Sequence, residues 1–417
     1  LMALLTSIMG EAATVCDVLV IGAGPGGGNA ALHSARAGLS TILIEDHAEI
    51  GTPVHCGECI SDVACDNLNL DLPDHVISKR VHGIRVIFPD GTEKKLTEEG
   101  YVLEKHLFER WIADEAVSQG AILNLNHKLT SMEKMFDGDK FTGWRCDGKG
   151  DNFPIEAKIV IDASGVAGVC SKLLELNPRP KVIAGMQYEM LEVPTDDYLD
   201  FYIWPKYAEK GYVWMIPKCD GRANVGLVTE DKSRTKKGLD EFIEDTHFKG
   251  LEQVPPPWKA KGNPAFGGTI PISGPHENTH TDGLMLVGDA AGFTSPLFEG
   301  GSHLALKSAV FAAETAAKAI NSGDYSSSSL AEYSSLWQNE FPPYSKILRG
   351  KSALFALSDD DMSLMAQCFP DEMSNMGISG KLAVCMKIFV RRPSLYVKKI
   401  IPAMLSFGYS RAKFYGW

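Results

Sequence analysis

A glycine-rich turn between a short apolar strand and an alanine-rich segment constrains the fold of this 417-residue chain most. Residues 16–21 are apolar and β-branched, and Gly22, Gly24 and Gly27 follow them in a GxGxxG pattern. In a strand–turn–helix, the first glycine permits the tight turn, the second lets the backbone approach a pyrophosphate, and the third lets helix and strand pack closely. The helix N-terminus then offers free amide hydrogens to phosphate groups. The pattern predicts a Rossmann-like dinucleotide-binding unit.

A second apolar strand at 40–45 completes a βαβ unit and ends in Glu45. An acidic residue at this position accepts hydrogen bonds from the adenosine ribose hydroxyls, and its charge disfavours a 2′-phosphate. Residues 103–120 have the apolar periodicity of an amphipathic helix, and 157–162 form another apolar strand. These patterns extend the predicted dinucleotide-binding domain well beyond its first turn.

Two later segments favour FAD over NAD. Asp162 begins an Asp-Ala-Ser-Gly turn after a strand, and Gly288-Asp289 ends another strand. FAD is long and extended, so a fold that holds it needs contacts far apart in sequence. We expect Asp289 to bind the ribityl hydroxyls, with an ordinary helix N-cap as the alternative. The turn from Pro296 to Gly301 leads into a predicted helix whose N-terminal amides can face the N1–C2=O edge of the flavin.

The middle of the chain changes character. Residues 183–229 contain runs typical of antiparallel strands. After them come apolar and helical segments that continue the first domain. We therefore predict an α/β chain whose Rossmann-like FAD-binding domain is discontinuous, with an antiparallel β-sheet substrate domain inserted and a helical C-terminal tail. The predicted boundaries are 14–180 and 276–325 for the two parts of the FAD-binding domain, 181–275 for the substrate domain and 326–417 for the helical C-terminal region.

Charge and cysteine content exclude several classes of protein. A net charge of −12 argues against nucleic acid as the main partner. Nine scattered cysteines cannot all pair, which is typical of a reducing compartment. Only Cys56 and Cys59 form a CxxC, so we predict no metal site. The apolar residues 1–10 are too short to span a bilayer and lack a basic n-region, so we expect a cytoplasmic protein.

The C-terminal residues from Lys381 to Trp417 contain eight basic and no acidic residues. The eight are Lys381, Lys387, Arg391, Arg392, Lys398, Lys399, Arg411 and Lys413. Bulky apolar residues lie between them, a combination that suits an anionic membrane surface. The alternative is a solvated face that complements the acidic remainder of the chain. On the first interpretation the protein is peripheral on the inner face of the membrane.

Taken together, the motifs resemble the glutathione-reductase-type flavoproteins of the para-hydroxybenzoate hydroxylase fold. Within them the chain is most similar to archaeal geranylgeranyl reductases, which include digeranylgeranylglycerophospholipid reductases. The resemblance covers nearly the whole chain and rests on GAGPGG, IGTPVHCGECIS, GYVLEKHLFE, GYVWMIPK with ANVG, and LVGDAAGFTSPLFEGG. The family's YxWxFP signature is matched at Tyr212, Trp214 and Pro217, with Ile216 in place of Phe. Lys105 stands where the family has a flavin-contacting Arg.

The resemblance implies a set of site residues. FAD would be lined by Gly26, Glu45, Cys56, Gly57, Cys59, Lys105, Asp289, Gly301 and Ser302. Cys56 would be catalytic, relaying a proton or forming a redox-linked disulfide, unless it and Cys59 are inert packed thiols. Tyr212 and Trp214 would wall an apolar slot, with a plain sheet core as the alternative. Lys346 would contact an anionic head group.

The implied activity is an FAD-dependent reduction that saturates the C=C bonds of geranylgeranyl chains in archaeal-type membrane lipid precursors. Hydride would come from N5 of the reduced flavin and a proton would reach the other carbon. No second GxGxxG follows, so we expect no separate nicotinamide-binding domain. The electron donor would be reduced ferredoxin, a deazaflavin or NAD(P)H. The alternative is a flavin monooxygenase or halogenase of the same fold, because halogenases carry a WxWxIP-like stretch that residues 212–217 approach.

Overall fold

A computed structural model describes residues 13–259, 262–397 and 400–417. The expectations for residues 1–10, Lys398 and Lys399 lie outside the described residues. The strands are β1 (Thr14–Ile21), β2 (Thr41–Ile44), β3 (Cys59–Ser61), β4 (Ile77–Val81), β5 (Gly83–Ile87), β6 (Glu93–Leu96), β7 (Gly100–Leu103), β8 (Ile122–Asn124), β9 (Lys128–Asp137), β10 (Lys140–Lys149), β11 (Ile155–Asp162), β12 (Val182–Met190), β13 (Tyr198–Tyr202), β14 (Tyr212–Pro217), β15 (Ala223–Thr229), β16 (Gln253–Val254), β17 (Phe266–Pro271), β18 (His280–Thr281) and β19 (Leu284–Leu286). The α-helices are α1 (Pro25–Arg36), α2 (Asp62–Leu68), α3 (Lys105–Ser118), α4 (Val169–Leu173), α5 (Thr235–Asp245), α6 (Ser302–Ser322), α7 (Ser327–Glu340), α8 (Tyr344–Leu354), α9 (Asp359–Cys368), α10 (Ile378–Arg391), α11 (Ser394–Val397), α12 (Ile400–Tyr409) and α13 (Ala412–Tyr415).

The first sheet confirms the predicted Rossmann-like domain. Its strand order is β18-β19-β11-β1-β2-β8, and β1 runs parallel to β2 and β11. Val18, Leu19 and Val20 at its centre are fully buried, because a parallel sheet is covered on both faces. Helix α1 packs against α3 and α6, so the glycine turn lies where both parts of the domain meet. Gly38, with φ +81°, lies just beyond the end of α1, where helices commonly end in a glycine.

The second sheet contains the strands predicted at 183–229. Its order is β16-β12-β15-β14-β13-β5-β6, and β12, β15, β14 and β13 pair antiparallel. Strand β13 also pairs in parallel with β5. The sequence patterns did not indicate this pairing, because parallel partners are joined by a long crossover and carry no local turn signal. Strands β5 and β6 thus bring residues 83–96 of the predicted 14–180 segment into this sheet, and the domain boundaries stay a prediction.

The C-terminal helices α7–α13 dock on both sheets. The Arg411 guanidinium donates to Glu98 at 2.6 Å, and Lys94 Nζ donates to the Phe369 carbonyl at 3.0 Å. Prolines lie between α7 and α8 and between α10 and α11. Pro402, by contrast, lies within α12. Among the described residues no helix combines the length and apolarity needed to cross a bilayer.

Candidate active site

A cavity of about 710 Å³ is lined by residues from both sheets and from the C-terminal segment. Ligand sites in proteins commonly have volumes of about 300–1,000 Å³. The predicted site residues that line this cavity are Gly22, Gly24, Gly26, Glu45, Cys56, Gly57, Cys59, Lys105, Tyr212, Trp214, Asp289, Gly301 and Ser302. The structure therefore brings together residues that are almost 300 positions apart in the chain. Gly27 and Lys346 lie outside the lining.

The glycine turn has the geometry that a pyrophosphate requires. Gly22 has φ +93°, and a Cβ on Gly27 would lie 1.7 Å from the Gly22 carbonyl oxygen. These two glycines therefore serve the turn and the close helix–strand contact. Gly24 differs, because a Cβ there would meet nothing within 4 Å. The space beside it, at the uncapped N-terminus of α1, fits a phosphate group.

Glu45 is held rigidly at the end of β2. Its carboxylate accepts hydrogen bonds from the backbone amides of Ala23 at 2.8 Å and His47 at 3.0 Å. Each carboxylate oxygen has two acceptor sites, so a ribose hydroxyl can still bind. Glu45, Asp46 and His47 place their ligand atoms within 4.8 Å of one another. Lys128 pairs with Asp46 at 2.9 Å, which offsets part of the negative charge of this cluster.

Asp289 lies on a 3₁₀ turn, Gly288–Ala291, and lines the same cavity as Glu45. Its carboxylate accepts a hydrogen bond from the Thr294 hydroxyl at 3.0 Å and caps no helix, so the N-cap alternative is wrong. Burial raises the pKa of Asp289, against the opposing effects of Thr294 and Lys105. A Cβ on Gly301 would lie 3.4 Å from Asp289 Oδ1. The start of α6 therefore lies next to this carboxylate, as the flavin interpretation requires.

The Cys56–Cys59 turn lies against the second sheet. The Cys56 sulfur accepts the Glu58 amide hydrogen at 3.2 Å, and the Cys56 carbonyl accepts Gln187 Nε2 at 2.8 Å. Cys59 is also a free thiol, with Sγ 3.5 Å from the Gly57 carbonyl, and burial raises its pKa. Glu58 has φ +76°, an uncommon conformation for a residue with a side chain. The turn is thus held by its own hydrogen bond from the Glu58 amide to the Cys56 sulfur and by the hydrogen bond from Gln187 of the second sheet.

Behind this turn lies a buried network of charges that the sequence did not reveal. Lys218 Nζ lies 2.9 Å from carboxylate oxygens of both Glu58 and Glu104. Arg222 pairs with Glu104 at 2.6 Å and with Glu189 at 3.2 Å. Burial opposes the charge on Lys218, but Glu58 and Glu104 outweigh it and raise its pKa. We call these five residues the buried charge network.

The side chains of β14 alternate between the two faces of the sheet. Tyr212, Trp214 and Ile216 line the cavity, whereas Val213 and Met215 pack on the other face with Tyr202, Leu227 and Phe242, in what we call the second hydrophobic cluster. Two hydrogen bonds fix the aromatic rings: the Trp214 indole donates to the Gln187 side-chain oxygen at 3.0 Å, and the Tyr212 hydroxyl donates to the Phe298 carbonyl at 2.8 Å. The rings therefore form a rigid apolar wall.

The two predicted lysines lie in different environments. Lys105 is buried at the start of α3, with Nζ 3.2 Å from Glu109. Burial disfavours its charge, but the nearby Cys56 and Glu109 raise the pKa of Lys105 overall. Lys346 is exposed on α8, with Nζ 3.4 Å from the Tyr409 hydroxyl. A head group at Lys346 would therefore lie outside the cavity.

Known proteins share these features over nearly the whole chain. Residues 17–172 match the family model for FAD dependent oxidoreductases, and residues 182–254 match the model for the geranylgeranyl reductase catalytic domain. A digeranylgeranylglycerophospholipid reductase from Methanocaldococcus jannaschii is 34% identical, over 94% of this chain and 100% of that protein. The chain belongs to the digeranylgeranylglycerophospholipid reductase family. It is an FAD-dependent oxidoreductase, as the glycine turn and Asp289 predicted.

Solved structures agree with this family membership. A geranylgeranyl bacteriochlorophyll reductase-like protein from Thermoplasma acidophilum has a TM-score of 0.82 at 28% identity, covering 94% of this chain and 100% of that one. A flavin-dependent brominase has a TM-score of 0.65 at 19% identity, covering 94% of this chain and 93% of that one. The brominase shares the fold alone, so the halogenase alternative has no support beyond the fold. The roles of the individual site residues stay predictions.

Proposed function

We propose that this reductase saturates the C=C bonds of geranylgeranyl chains in archaeal-type membrane lipid precursors. The observation that carries the proposal is the wall formed by Tyr212 and Trp214. It faces the same cavity as the glycine turn, so an apolar chain beside it lies within reach of a cofactor held by that turn. The relatives are named for a digeranylgeranylglycerophospholipid, and its geranylgeranyl groups are apolar chains of this kind.

FAD, when reduced, supplies the hydride. The turn at Gly22–Gly27 and the N-terminus of α1 would hold its pyrophosphate, Glu45 its ribose and Asp289 its ribityl chain. Cys56, on a turn fixed by Gln187, would contact the reacting region. The apolar wall keeps water away from an alkene, which is a poor hydride acceptor and needs a dry site. Reduced ferredoxin, a deazaflavin and NAD(P)H stay the predicted electron donors.

An anaerobic single turnover tests this function. Dithionite-reduced enzyme is mixed with the unsaturated lipid, and we expect the product mass to rise by two hydrogens for each double bond reduced. Trp214→Ala should slow this step roughly ten- to hundred-fold, because it removes about 1.5–3 kcal/mol of apolar contact, while FAD stays bound. Trp204→Ala is the matched control, since Trp204 packs in the second hydrophobic cluster away from the cavity. Oxygen or halogen incorporation in air, with no anaerobic mass gain, would favour the monooxygenase or halogenase.

We also propose that α10 docks on an anionic membrane surface. Ile378, Leu382, Met386 and Phe389 lie three or four residues apart on this helix, and their exposed fractions range from 51% to 85%. Residues 378–391 contain Lys381, Lys387 and Arg391 and no acidic residue. An exposed apolar stripe with basic neighbours fits the boundary between head groups and acyl chains. We call this stripe with its three basic residues the basic helix surface.

Not every basic residue of the predicted tail is available for lipid. Arg392 pairs with Asp361 at 3.0 Å and Arg411 pairs with Glu98 at 2.5 Å, so both complement acidic groups of the protein. The alternative of a face that complements the acidic body therefore applies to these two residues. Lys381, Lys387 and Arg391 are exposed, as is Lys413 on α13. The experiment should target the three on α10.

Charge reversal of Lys381, Lys387 and Arg391 to Glu should weaken binding to anionic vesicles at low salt. Each basic residue near the surface contributes ~1 kcal/mol, so the loss should be about 3 kcal/mol, or roughly a hundred-fold in affinity. The control reverses three exposed lysines elsewhere, Lys149, Lys172 and Lys232, with the same change in net charge. Equal losses in both triple variants, measured by vesicle sedimentation, would contradict a docking role for α10.

A further inference from the structure

The loop that precedes α6 places a carboxylic acid on the wall of the cavity. The Glu299 side chain lines the cavity and is only 3% exposed. Its φ of +52° lies in the left-handed region, which costs free energy for a residue other than glycine. The Glu299 amide donates to the Ser295 carbonyl at 3.0 Å, and the Ser295 amide donates to the Gly300 carbonyl at 2.8 Å. The backbone therefore holds this side chain in one place.

The two oxygens of Glu299 have different surroundings. Oε1 lies 3.2 Å from Lys351 Nζ, whereas Oε2 is buried and has no hydrogen-bond partner among the described residues. Leaving a buried oxygen unpaired is costly, and a proton on it or a ligand beside it removes part of the cost. Burial raises the pKa of Glu299 to about 7, against the opposing effects of Lys351 and Tyr212. A carboxyl whose pKa is raised toward neutrality can hold and release a proton near neutral pH.

The proposed reduction needs a proton as well as a hydride, and few side chains on the cavity can give one. The Tyr212 hydroxyl donates to the Phe298 carbonyl, and burial raises its pKa, so it is a poor acid. Burial likewise raises the pKa of the Cys59 thiol. The other acids on the cavity wall include Cys56, Asp289 and Glu109. Among the described residues of the lining, Glu299 alone combines an unpartnered buried carboxylate oxygen with a nearby cation that can pair with its negative charge.

We propose that Glu299 is the acid that supplies the proton accompanying hydride transfer, with Lys351 as its positioning partner. This inference rests on the proposed function. The alkene gains hydride at one carbon and the Glu299 proton at the other, so its π bond, the flavin N–H bond that supplies the hydride and the Glu299 O–H bond break while two C–H bonds form. The reduced flavin loses two electrons and the alkene gains them. The resulting carboxylate pairs with Lys351 until a proton from solvent restores the acid.

The pH dependence follows from the groups that face Glu299. Lys351 from α8 favours the carboxylate, as does Tyr212 from β14, whereas Glu230 after β15 disfavours it. Tyr415 of the C-terminal segment lines the same cavity as a neutral group. We expect the rate of flavin reoxidation by the lipid to fall as the pH rises through the Glu299 pKa of about 7. Lys351→Gln should move this fall to higher pH, because removing the cation raises the pKa.

The decisive variant is Glu299→Gln, measured by stopped-flow reoxidation of the reduced holoenzyme. A positioned acid contributes about 10²–10⁴-fold, so we expect a loss in that range and a flat pH profile. Glu230→Gln, an acid outside the cavity lining, should keep the maximal rate and move its fall slightly to lower pH, because the Glu230 charge raises the Glu299 pKa. If Cys56→Ser removes the pH dependence and Glu299→Gln does not, the thiol is the acid and the proposal is wrong.

A second measurement does not depend on turnover. Infrared difference spectra of the holoenzyme between acid and alkaline pH should show a protonated carboxyl band that titrates near neutrality and is absent in Glu299→Gln. A wild-type enzyme that gives no mass gain with the lipid would overturn the proposed function itself. A wild-type enzyme that reduces the lipid, together with Glu299→Gln of unchanged rate and infrared titration, would overturn only this inference.

Discussion

Gly24→Val should yield a folded, colourless protein. A side chain at Gly24 meets no protein atom within 4 Å, so the fold should tolerate it, but the valine would fill the space beside the N-terminus of α1. A pyrophosphate needs that space for close backbone contact. We expect FAD affinity to fall by at least about a thousand-fold, since more than ~4 kcal/mol of phosphate contacts would be lost. Flavin absorbance after gel filtration and the apoprotein melting temperature measure the two effects separately.

Two other glycines sharpen this experiment. Gly27→Val should lose both fold and cofactor, because its Cβ would lie 1.7 Å from the Gly22 carbonyl oxygen. Gly377→Val is a matched control: Gly377 is also a helix N-cap, with φ −68° against −67° for Gly24, and its Cβ also meets nothing within 4 Å. It should keep both fold and flavin. Yellow Gly24→Val protein with wild-type affinity would place the pyrophosphate elsewhere.

Local patterns were sufficient to predict the first half of the site. The GxGxxG turn, Glu45 and Asp289 each follow a buried strand, and the carboxyl ends of parallel strands lie at one edge of a sheet. Their convergence on one cavity therefore follows from the topology that the sequence patterns indicated. Period-two alternation likewise places Tyr212 and Trp214 on one face of β14, because a strand has only two faces.

Other parts of the site depend on contacts that no local pattern records. Gln187, which bonds both Cys56 and Trp214, lies on β12 beside other polar residues such as Glu189, and nothing in the strand pattern distinguishes it. Glu299 follows Phe298 in a loop, where neither burial nor the contact with Lys351, 52 positions away, can be inferred from spacing. Such residues are recognisable only once the second sheet and the C-terminal helices are docked.

Removing the lysine at the centre of the buried charge network should destabilise the protein severely. Lys218 is 2% exposed and lies 2.9 Å from both Glu58 and Glu104. Breaking a buried ion pair on one side leaves an uncompensated charge and costs about 3–5 kcal/mol. Lys218→Met should lower the free energy of unfolding by this amount, measured by urea titration. Lys206→Met, which removes an exposed partner of Asp245, should leave the free energy of unfolding nearly unchanged.

The pH dependence of the Lys218→Met defect separates lost charge pairing from lost packing. Lys218 and Arg222 hold the pKa of Glu104 below its usual value, against burial, so in the wild type this carboxylate stabilises the fold above its unfolded pKa and the contribution is lost in acid. In the variant burial is less compensated, the pKa rises, and the carboxylate becomes destabilising at neutral pH. The difference between variant and wild type should therefore shrink from neutral pH to about pH 4–5.

A double variant gives the sharpest test of this network. In the double variant Lys218→Met with Glu58→Gln, one of the carboxylates left unpaired by the loss of Lys218 is also removed. The double variant should therefore be more stable than Lys218→Met alone, although it has fewer charged contacts than either single variant. Because Glu58 also accepts the Lys105 amide hydrogen at 3.0 Å and donates its own to Cys56, flavin absorbance should change along with stability. If the loss of unfolding free energy is independent of pH and additive in the double variant, Lys218 acts through the packing of its aliphatic stem. Its charge would then have no role in holding the Cys56–Cys59 turn.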